Sequence, residues 1–345
     1  MPSHGSVRAA SSRKLLKAAL VILLSGICSS WTAQSITPAP QNQPILVKSP
    51  AGQTEDAARA AARSHSHHFD RVLIVVLENV DYERAIHNKD LMALAAKGAS
   101  FTNFHALFHP SYPNYLAMIA GTDFGLHLRG SYFGDKQVNF PNDAAHKTIA
   151  DNLLAAGLDF KQYAEELPPG PCPWNVSGLH IADKRGNYTR RHVPFLSFRE
   201  LQEKWCDRVI RVDSSRADNF FAQDAKKGLV AYSFYSPNMN HDGHDTTVDV
   251  AGAWVRNFLD QTFPEKLRQG TLVVITFDES GGNEDNRIFT LFLGDMVKDA
   301  AHQDPKALAR RYDHYSVLRT IEDNFGLPPL TANDRAAQPI TEIWK

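Results

Sequence analysis

The sequence predicts an α/β fold built on a mostly parallel central sheet. Three observations carry this. Continuous apolar runs of strand length alternate with helix-period segments from about Phe69 onward. The two strongest runs, Val72–Leu77 and Leu272–Phe277, are apolar throughout, as strands covered on both faces must be. Each ends on an acid, Glu78 and Asp278, and parallel strands bring their carboxyl ends to one edge of a sheet.

Taken in order, the strand Val72–Leu77 is followed by a helix over Tyr82–Lys97 that Gly98 closes. Phe101–Phe108 reads as a strand leading to a turn at Ser111. Pro113 suits the first turn of a helix that runs through Met118 and stops at Gly121. Thr148–Ala156 is a short helix ended by Gly157. Residues 168–225, opening on Pro168-Pro169-Gly170-Pro171, break the alternation and read as an inserted cap. Then come a strand over Leu229–Tyr235 and a helix over Val248–Phe263 with Val250, Trp254 and Phe258 on one stripe. Strand Leu272–Phe277 and the apolar run Phe289–Leu293 precede a last helix, Tyr315–Phe325, closed by Gly326 with Pro328 beyond it.

The chain has 345 residues, 43% hydrophobic and 22% charged, enough for one large core with a lid. A net charge of −1 gives no overall basic surface, so composition offers nothing for nucleic acid. At the N-terminus, Arg8, Arg13, Lys14 and Lys17 precede an apolar stretch, Ala18 to Ile27, and then small residues. This is the layout of an export signal, residues 1–33, too short to span a bilayer comfortably. After its removal the chain is expected to be periplasmic or secreted, with no stable membrane insertion. Residues 34–68, rich in Pro, Gln, Ala and Ser, read as a flexible linker, and 69–345 as the folded domain. Removal of the signal leaves Cys172 and Cys206, an even pair expected to form one disulfide that staples the cap.

Four segments could carry chemistry. Glu78-Asn79 and Asp278-Glu279 sit at strand ends and offer hard oxygen donors for a divalent cation. Ser111 stands just before a helix, where the N–H groups of Asn114 and Tyr115 would face a phosphate. A serine beside a metal can be ionised without a His-Asp partner. Asn238 to Asp245, crowded with His241, Asp242, His244 and Asp245, follows a third strand and supplies ligands or proton donors. His314 lies just before the last helix, and His109 lies near Ser111.

These stretches, Val75–Asn79 (VVLEN), His109–Thr122 (HPSYPNYLAMIAGT), Ser236–Asp245 (SPNMNHDGHD), Thr276–Gly282 (TFDESGG) and His314–Leu327 (HYSVLRTIEDNFGL), come in one order across nearly the whole domain. Together they resemble the phosphoesterase family of bacterial and fungal secreted acid phosphatases and nonspecific phospholipases C, in the alkaline phosphatase superfamily. The resemblance implies an alkaline-phosphatase-like sheet with helices on both faces and a small cap. It implies phosphate monoester hydrolysis through a phosphoserine at Ser111, a divalent metal of unknown identity and number on Glu78, Asn79, Asp278 and Glu279, and catalytic roles for His244 and His314. Asn114 and Asp242 would bind substrate, a small-molecule or lipid phosphate ester. Better-known superfamily members carry Asp where Glu78 stands and two metals, so the metal count is open. A phosphodiesterase or phospholipase C, and a non-catalytic metal- or phosphate-binding protein, are the alternatives; the compact chain favours the monoesterase.

Overall fold

The computed structural model describes residues 67–170 and 184–345. The expected export signal, the expected linker up to residue 66 and Cys172 lie outside the described residues. Cys206 is buried.

Seven strands form the central sheet: β1 (Arg71–Leu77), β2 (Ala99–Phe101), β3 (Phe160–Glu165), β4 (Val209–Val212), β5 (Tyr232–Ser236), β6 (Thr271–Phe277) and β7 (Thr290–Leu293). Their spatial order is β2-β7-β6-β1-β5-β3-β4. From β6 to β4 all neighbours are parallel, and β7 runs antiparallel to both β6 and β2. Every residue of β6 and all but the first of β1 are buried, so helices and loops cover both faces of the sheet centre. The main helices are α1 (Tyr82–Ala85), α2 (Lys89–Ala95), α3 (Ser111–Ala120), α4 (Ile149–Ala155), α5 (Phe220–Lys227), α6 (Val248–Asn257) and α7 (His314–Phe325). Helix α2 packs on α6, while α4 and α7 pack on α3. No helix among the described residues is long and apolar enough to cross a membrane.

Several elements depart from the sequence reading for identifiable reasons. The single helix expected over Tyr82–Lys97 is broken after Ala85 because the Asn88 side chain caps α2, accepting from the Asp90 and Leu91 N–H groups at 3.1 and 2.9 Å. Asn88 also donates to the Val248 carbonyl and to Asp249 Oδ1. Gly252 makes that possible: a Cβ there would lie 2.3 Å from Asn88 Oδ1. The strand expected over Phe101–Phe108 shrinks to β2 and a two-residue pairing of Phe104–His105 with Tyr312–Asp313. Strand β3 was hidden by its mixed composition, yet five of its six residues are buried, with Gln162 donating to the His192 carbonyl. Cap residues were expected through Ala225, but Val209–Val212 is the sheet's edge strand and α5 follows it, so the insertion is shorter. The α6 stripe is also rotated, since Val250 is exposed and Val248, Ala251 and Val255 face the core.

One buried acid makes stability depend on pH. Glu322, on α7, is fully buried beside Asp334, and neither of its carboxyl oxygens accepts a hydrogen bond. Burial first, then the Asp334 charge, push its carboxyl up to about 10. The folded chain therefore keeps a proton that the unfolded chain releases above the ordinary carboxylate range, and stability is lost as pH rises from there toward 10. Glu322→Gln should raise the urea midpoint at pH 8 and leave it nearly unchanged at pH 4. An equal shift at both pH values, or a loss at pH 8, contradicts the buried proton.

Candidate active site

Strand register builds the site. Leu77 pairs with Phe277 across adjacent parallel strands, so the residues that follow, Glu78 and Asp278, emerge side by side. The ladder continues one step further, with the Asp278 N–H donating to the Leu77 carbonyl at 2.9 Å and the Glu78 N–H donating to the Asp242 carbonyl at 3.0 Å. That second bond ties the loop after β5 to the same edge. Four carboxylates, Glu78, Asp242, Asp278 and Glu279, are thereby gathered, each at most 4% exposed. Asn79 holds the left-handed conformation at φ 45°, which turns the chain sharply after the acid.

Ser111 stands over this group. Its hydroxyl donates within reach of Glu279 Oε1 at 2.8 Å, Glu78 Oε2 at 3.2 Å and Asn79 Oδ1 at 3.4 Å. Helix α3 opens at Ser111 itself, with Pro113 in its first turn as expected. That start decides what the helix end can offer. Of its four N–H positions without an intrahelical partner, Pro110 and Pro113 have no hydrogen, and Tyr112 donates to Asp135 Oδ1 at 3.1 Å. The Ser111 N–H is the donor that remains, in place of the expected Asn114 and Tyr115 groups.

The electrostatics of the cluster are one-sided. The ion-pair partners of these acids are histidines: His192 faces Glu78 Oε1 at 3.0 Å and Asp242 Oδ2 at 3.5 Å, and His109 bonds Glu279 Oε2. Burial, and then the neighbouring carboxylates, hold the Glu78 and Asp278 carboxyls well above their ordinary range. Burial lifts Asp242 to about 7. Asp278 Oδ2 has no hydrogen-bond partner. The Asn79 amide oxygen faces only acceptors unless the amide is turned, in which case its nitrogen would donate to Glu78 Oε2 and Asp278 Oδ1.

A divalent cation fits this donor set. An orphaned carboxylate oxygen and a hydroxyl among acids are what remains when a cation's ligands are left to one another. Among the described residues no three His, Cys, Asp or Glu side chains are spaced to hold a metal by themselves. The geometry here is mixed, with Asn79 and Ser111 completing a partial carboxylate set.

Other expected site residues are placed differently from one another. Asp242 lies within the cluster, its Oδ1 accepting the His244 N–H at 2.8 Å. The ring of His244 points to solvent and pairs with Asp245 Oδ1, with no bond to Ser111 or the four acids. His314 is buried behind Asp278, bonded to its carbonyl at 2.8 Å, and burial lowers its ring to about 4, so it is neutral there. Asn114 is fully buried and spends its side chain on the loop before Ser111. It accepts from the Leu107 and Phe108 N–H groups, each at 3.0 Å, and donates to the Phe108 and Pro110 carbonyls.

Two side chains, His192 and Tyr115, join the site without having been singled out for it, and His109, noted as a neighbour of Ser111, joins them. His192 is stacked on Tyr115, with ring centroids 4.9 Å apart, and Tyr115 donates to Glu78 Oε1 at 2.6 Å. His109 carries its proton more firmly than usual because of the Glu279 hydrogen bond. Tyr115 lies four residues from Ser111 on one helix, so its position was readable; His192 sits in an irregular stretch with no local signal.

The profile of the Phosphoesterase family matches residues 78–328, from the first acid of the cluster to just beyond α7. This chain belongs to the Phosphoesterase family. A probable acid phosphatase of Kluyveromyces lactis is 33% identical over 84% of this chain and 65% of its own length. A phosphatidylinositol-3-phosphatase of Mycobacterium tuberculosis is 34% identical over 80% of this chain and 83% of its own. An acid phosphatase of Aspergillus niger is 32% identical, covering 95% and 75% respectively. Against the acid phosphatases of K. lactis and Aspergillus fumigatus the match spans 65% and 59% of their lengths. Among solved structures, a protein in the alkaline phosphatase superfamily from Vibrio parahaemolyticus shares the fold with a TM-score of 0.51 at 14% identity, covering 77% of this chain and 68% of that one. A 2-O GAG sulfatase gives a TM-score of 0.50 at 10% identity, covering 77% and 72%.

Asn114→Ala should destabilise the family domain by about 2–3 kcal/mol, because it leaves the part-buried Leu107 and Phe108 N–H groups without their acceptor. Urea unfolding checks this. An unchanged midpoint would mean that the Leu107–Pro110 loop is held by something else.

Proposed function

We propose that this chain is an exported, metal-dependent acid phosphatase that hydrolyses phosphate monoesters through a phosphoserine at Ser111. The observation that carries the reading is the Ser111 hydroxyl held at 2.8 Å from Glu279 Oε1 at the mouth of a buried acid cluster. Family membership and the acid phosphatase names of the relatives support it. The Mycobacterium relative is named for a phosphomonoester on a lipid headgroup, which supports a substrate range that includes lipid phosphates.

Glu78, Asn79, Asp278 and Glu279, with Ser111 itself, are the residues that would hold the cation. When bound, it would supply positive charge to balance the carboxylates, to lower the proton affinity of the serine oxygen and to offset phosphate charge. The protein's own groups do the rest. Glu279 Oε1 takes the proton of Ser111 Oγ as that oxygen bonds to phosphorus and the ester P–O bond breaks. His109, half-exposed and bonded to the far oxygen of Glu279, is the group placed to give a proton to the departing alkoxide. A water oxygen then bonds to phosphorus as the Ser111 Oγ–P bond breaks; Oγ takes back the proton held on Glu279, and the water's proton goes to His109, releasing phosphate and restoring the hydroxyl. The Ser111 N–H and the positive end of α3 stabilise the phosphoryl charge.

Asn114, expected to touch the phosphate, is better understood as a positioning residue that fixes the Leu107–Pro110 approach to Ser111. His314, expected to be catalytic, acts as a neutral prop behind Asp278. Asp242, buried within the acid cluster, holds the His244 backbone and faces His192, while the His244 ring lies outside the cluster. The Cys172–Cys206 bridge and export through residues 1–33 belong to the same proposal, as the context in which an extracytoplasmic hydrolase works.

Ser111→Ala should lower turnover of a chromogenic phosphate monoester at least ~10³-fold. Chelation should abolish turnover of the native chain, and the matching choline phosphodiester should be the poorer substrate. Near-normal turnover in the variant would remove Ser111 as nucleophile. A diester preference would move the chain to the phospholipase C reading, and no turnover of either ester would favour the binding protein.

A further inference from the structure

Directly after α3 the chain forms a hook, residues 126–136, that packs against the loop carrying Ser111. Its inner side is built in. Leu126 is buried, the His127 ring stacks on Phe108 with centroids 4.3 Å apart, and Asp135 accepts the Tyr112 N–H and pairs with Arg191. Gly134 lies over Pro110, whose Cδ would be 3.4 Å from a Cβ at that position. The hook is therefore fixed beside the nucleophile's loop.

Its outer side is unusual for a protein surface. Leu128, Tyr132 and Phe133 are 80%, 71% and 58% exposed, half of the six large exposed apolar side chains among the described residues. Scattered exposed apolar groups need no explanation, but three within six residues, on one short hook, do. Two exposed cations accompany them: Arg129 lies between, and the Lys136 ammonium sits 4.4 Å from the Tyr132 ring centroid and 5.2 Å from that of Phe133. The only acid on the hook, Asp135, is already committed inward. An apolar tip with an amphipathic tyrosine and flanking cations matches the interfacial region of an anionic bilayer, where apolar side chains enter the headgroup boundary and Lys or Arg meets lipid phosphate.

We propose that this hook docks the protein on an anionic lipid surface, with Leu128, Tyr132 and Phe133 entering the headgroup boundary and Arg129 and Lys136 facing lipid phosphates. The docking stands on the hook alone. Its consequence rests on the phosphoesterase reading: a docked hook holds the Ser111 loop against the headgroups, so phosphates borne by lipids are the favoured substrates.

The test compares the full chain, Leu128→Ser/Tyr132→Ser/Phe133→Ser and Arg129→Gln/Lys136→Gln for sedimentation with phosphatidylcholine vesicles containing about a third phosphatidylserine. The Ala18–Ile27 run is common to all three proteins, so differences among them report the hook. Both variants should bind at least ~10-fold more weakly than the native chain, the native binding should fall as salt rises, and turnover of a soluble chromogenic ester should stay unchanged. Retained binding in the variants, or absence of binding by the native chain, overturns the proposal. So does a native dimer that the triple-serine variant abolishes without any vesicle binding, which would make the hook a contact between copies. Should the triple variant misfold, the charge variant decides alone, since its side chains are exposed. Vesicle binding without turnover of any ester would leave docking standing and sink the phosphatase; turnover without vesicle binding would do the reverse.

Discussion

The site depends on one constraint: adjacent parallel strands in register deliver two acids to the same point. β1 and β6 pair along their whole length, and each ends on a carboxylate. Because both strands are buried on both faces, neither acid can swing out to water. Burying like charges together is costly unless something positive or a proton joins them. The raised carboxyls of Glu78 and Asp278 and the partnerless Asp278 Oδ2 are two expressions of that cost. A bound cation would relieve both together.

Around that point the rest of the structure acts as support. Tyr115 and His192 form a stacked pair that holds Glu78 from one side, and His314 fixes the Asp278 backbone from the other. Asn114 locks the loop that presents Ser111. Pro110 and Pro113 have no N–H and Asp135 takes that of Tyr112, leaving the Ser111 N–H as the remaining donor at the start of α3. The consequence is a hydroxyl with little freedom of placement, which is what a nucleophile aligned with a fixed phosphate requires.

The sheet's central strands β1, β5 and β6 and the acid tips were legible because continuous apolar runs, two of them ending on Glu78 and Asp278, are a local pattern. Ser111 was legible from the surrounding prolines and asparagine. What escaped was set by long-range contacts. Strand β3 looks half polar, since its Gln162 and Glu165 are satisfied by distant partners such as the His192 carbonyl and His241. The break between α1 and α2 needs Gly252 to make room for Asn88. His192 reaches Glu78 from an irregular segment with no periodicity to announce it. His244 and His314 carried the family motif, but their side chains go to Asp245 and to the Asp278 carbonyl, so motif membership alone did not place them at the hydroxyl.

Thermal unfolding of the native chain and of Asp278→Asn, each with chelator and with a divalent cation, addresses the central claim most directly. If the carboxylates are a cation's ligands, the cation should raise the native Tm strongly and the variant's little. In chelator the variant should melt at or above the native chain, because one buried charge has gone. A native Tm indifferent to divalent cations, together with a variant that melts lower in chelator, would contradict it. The acids would then be a structural network that needs no metal.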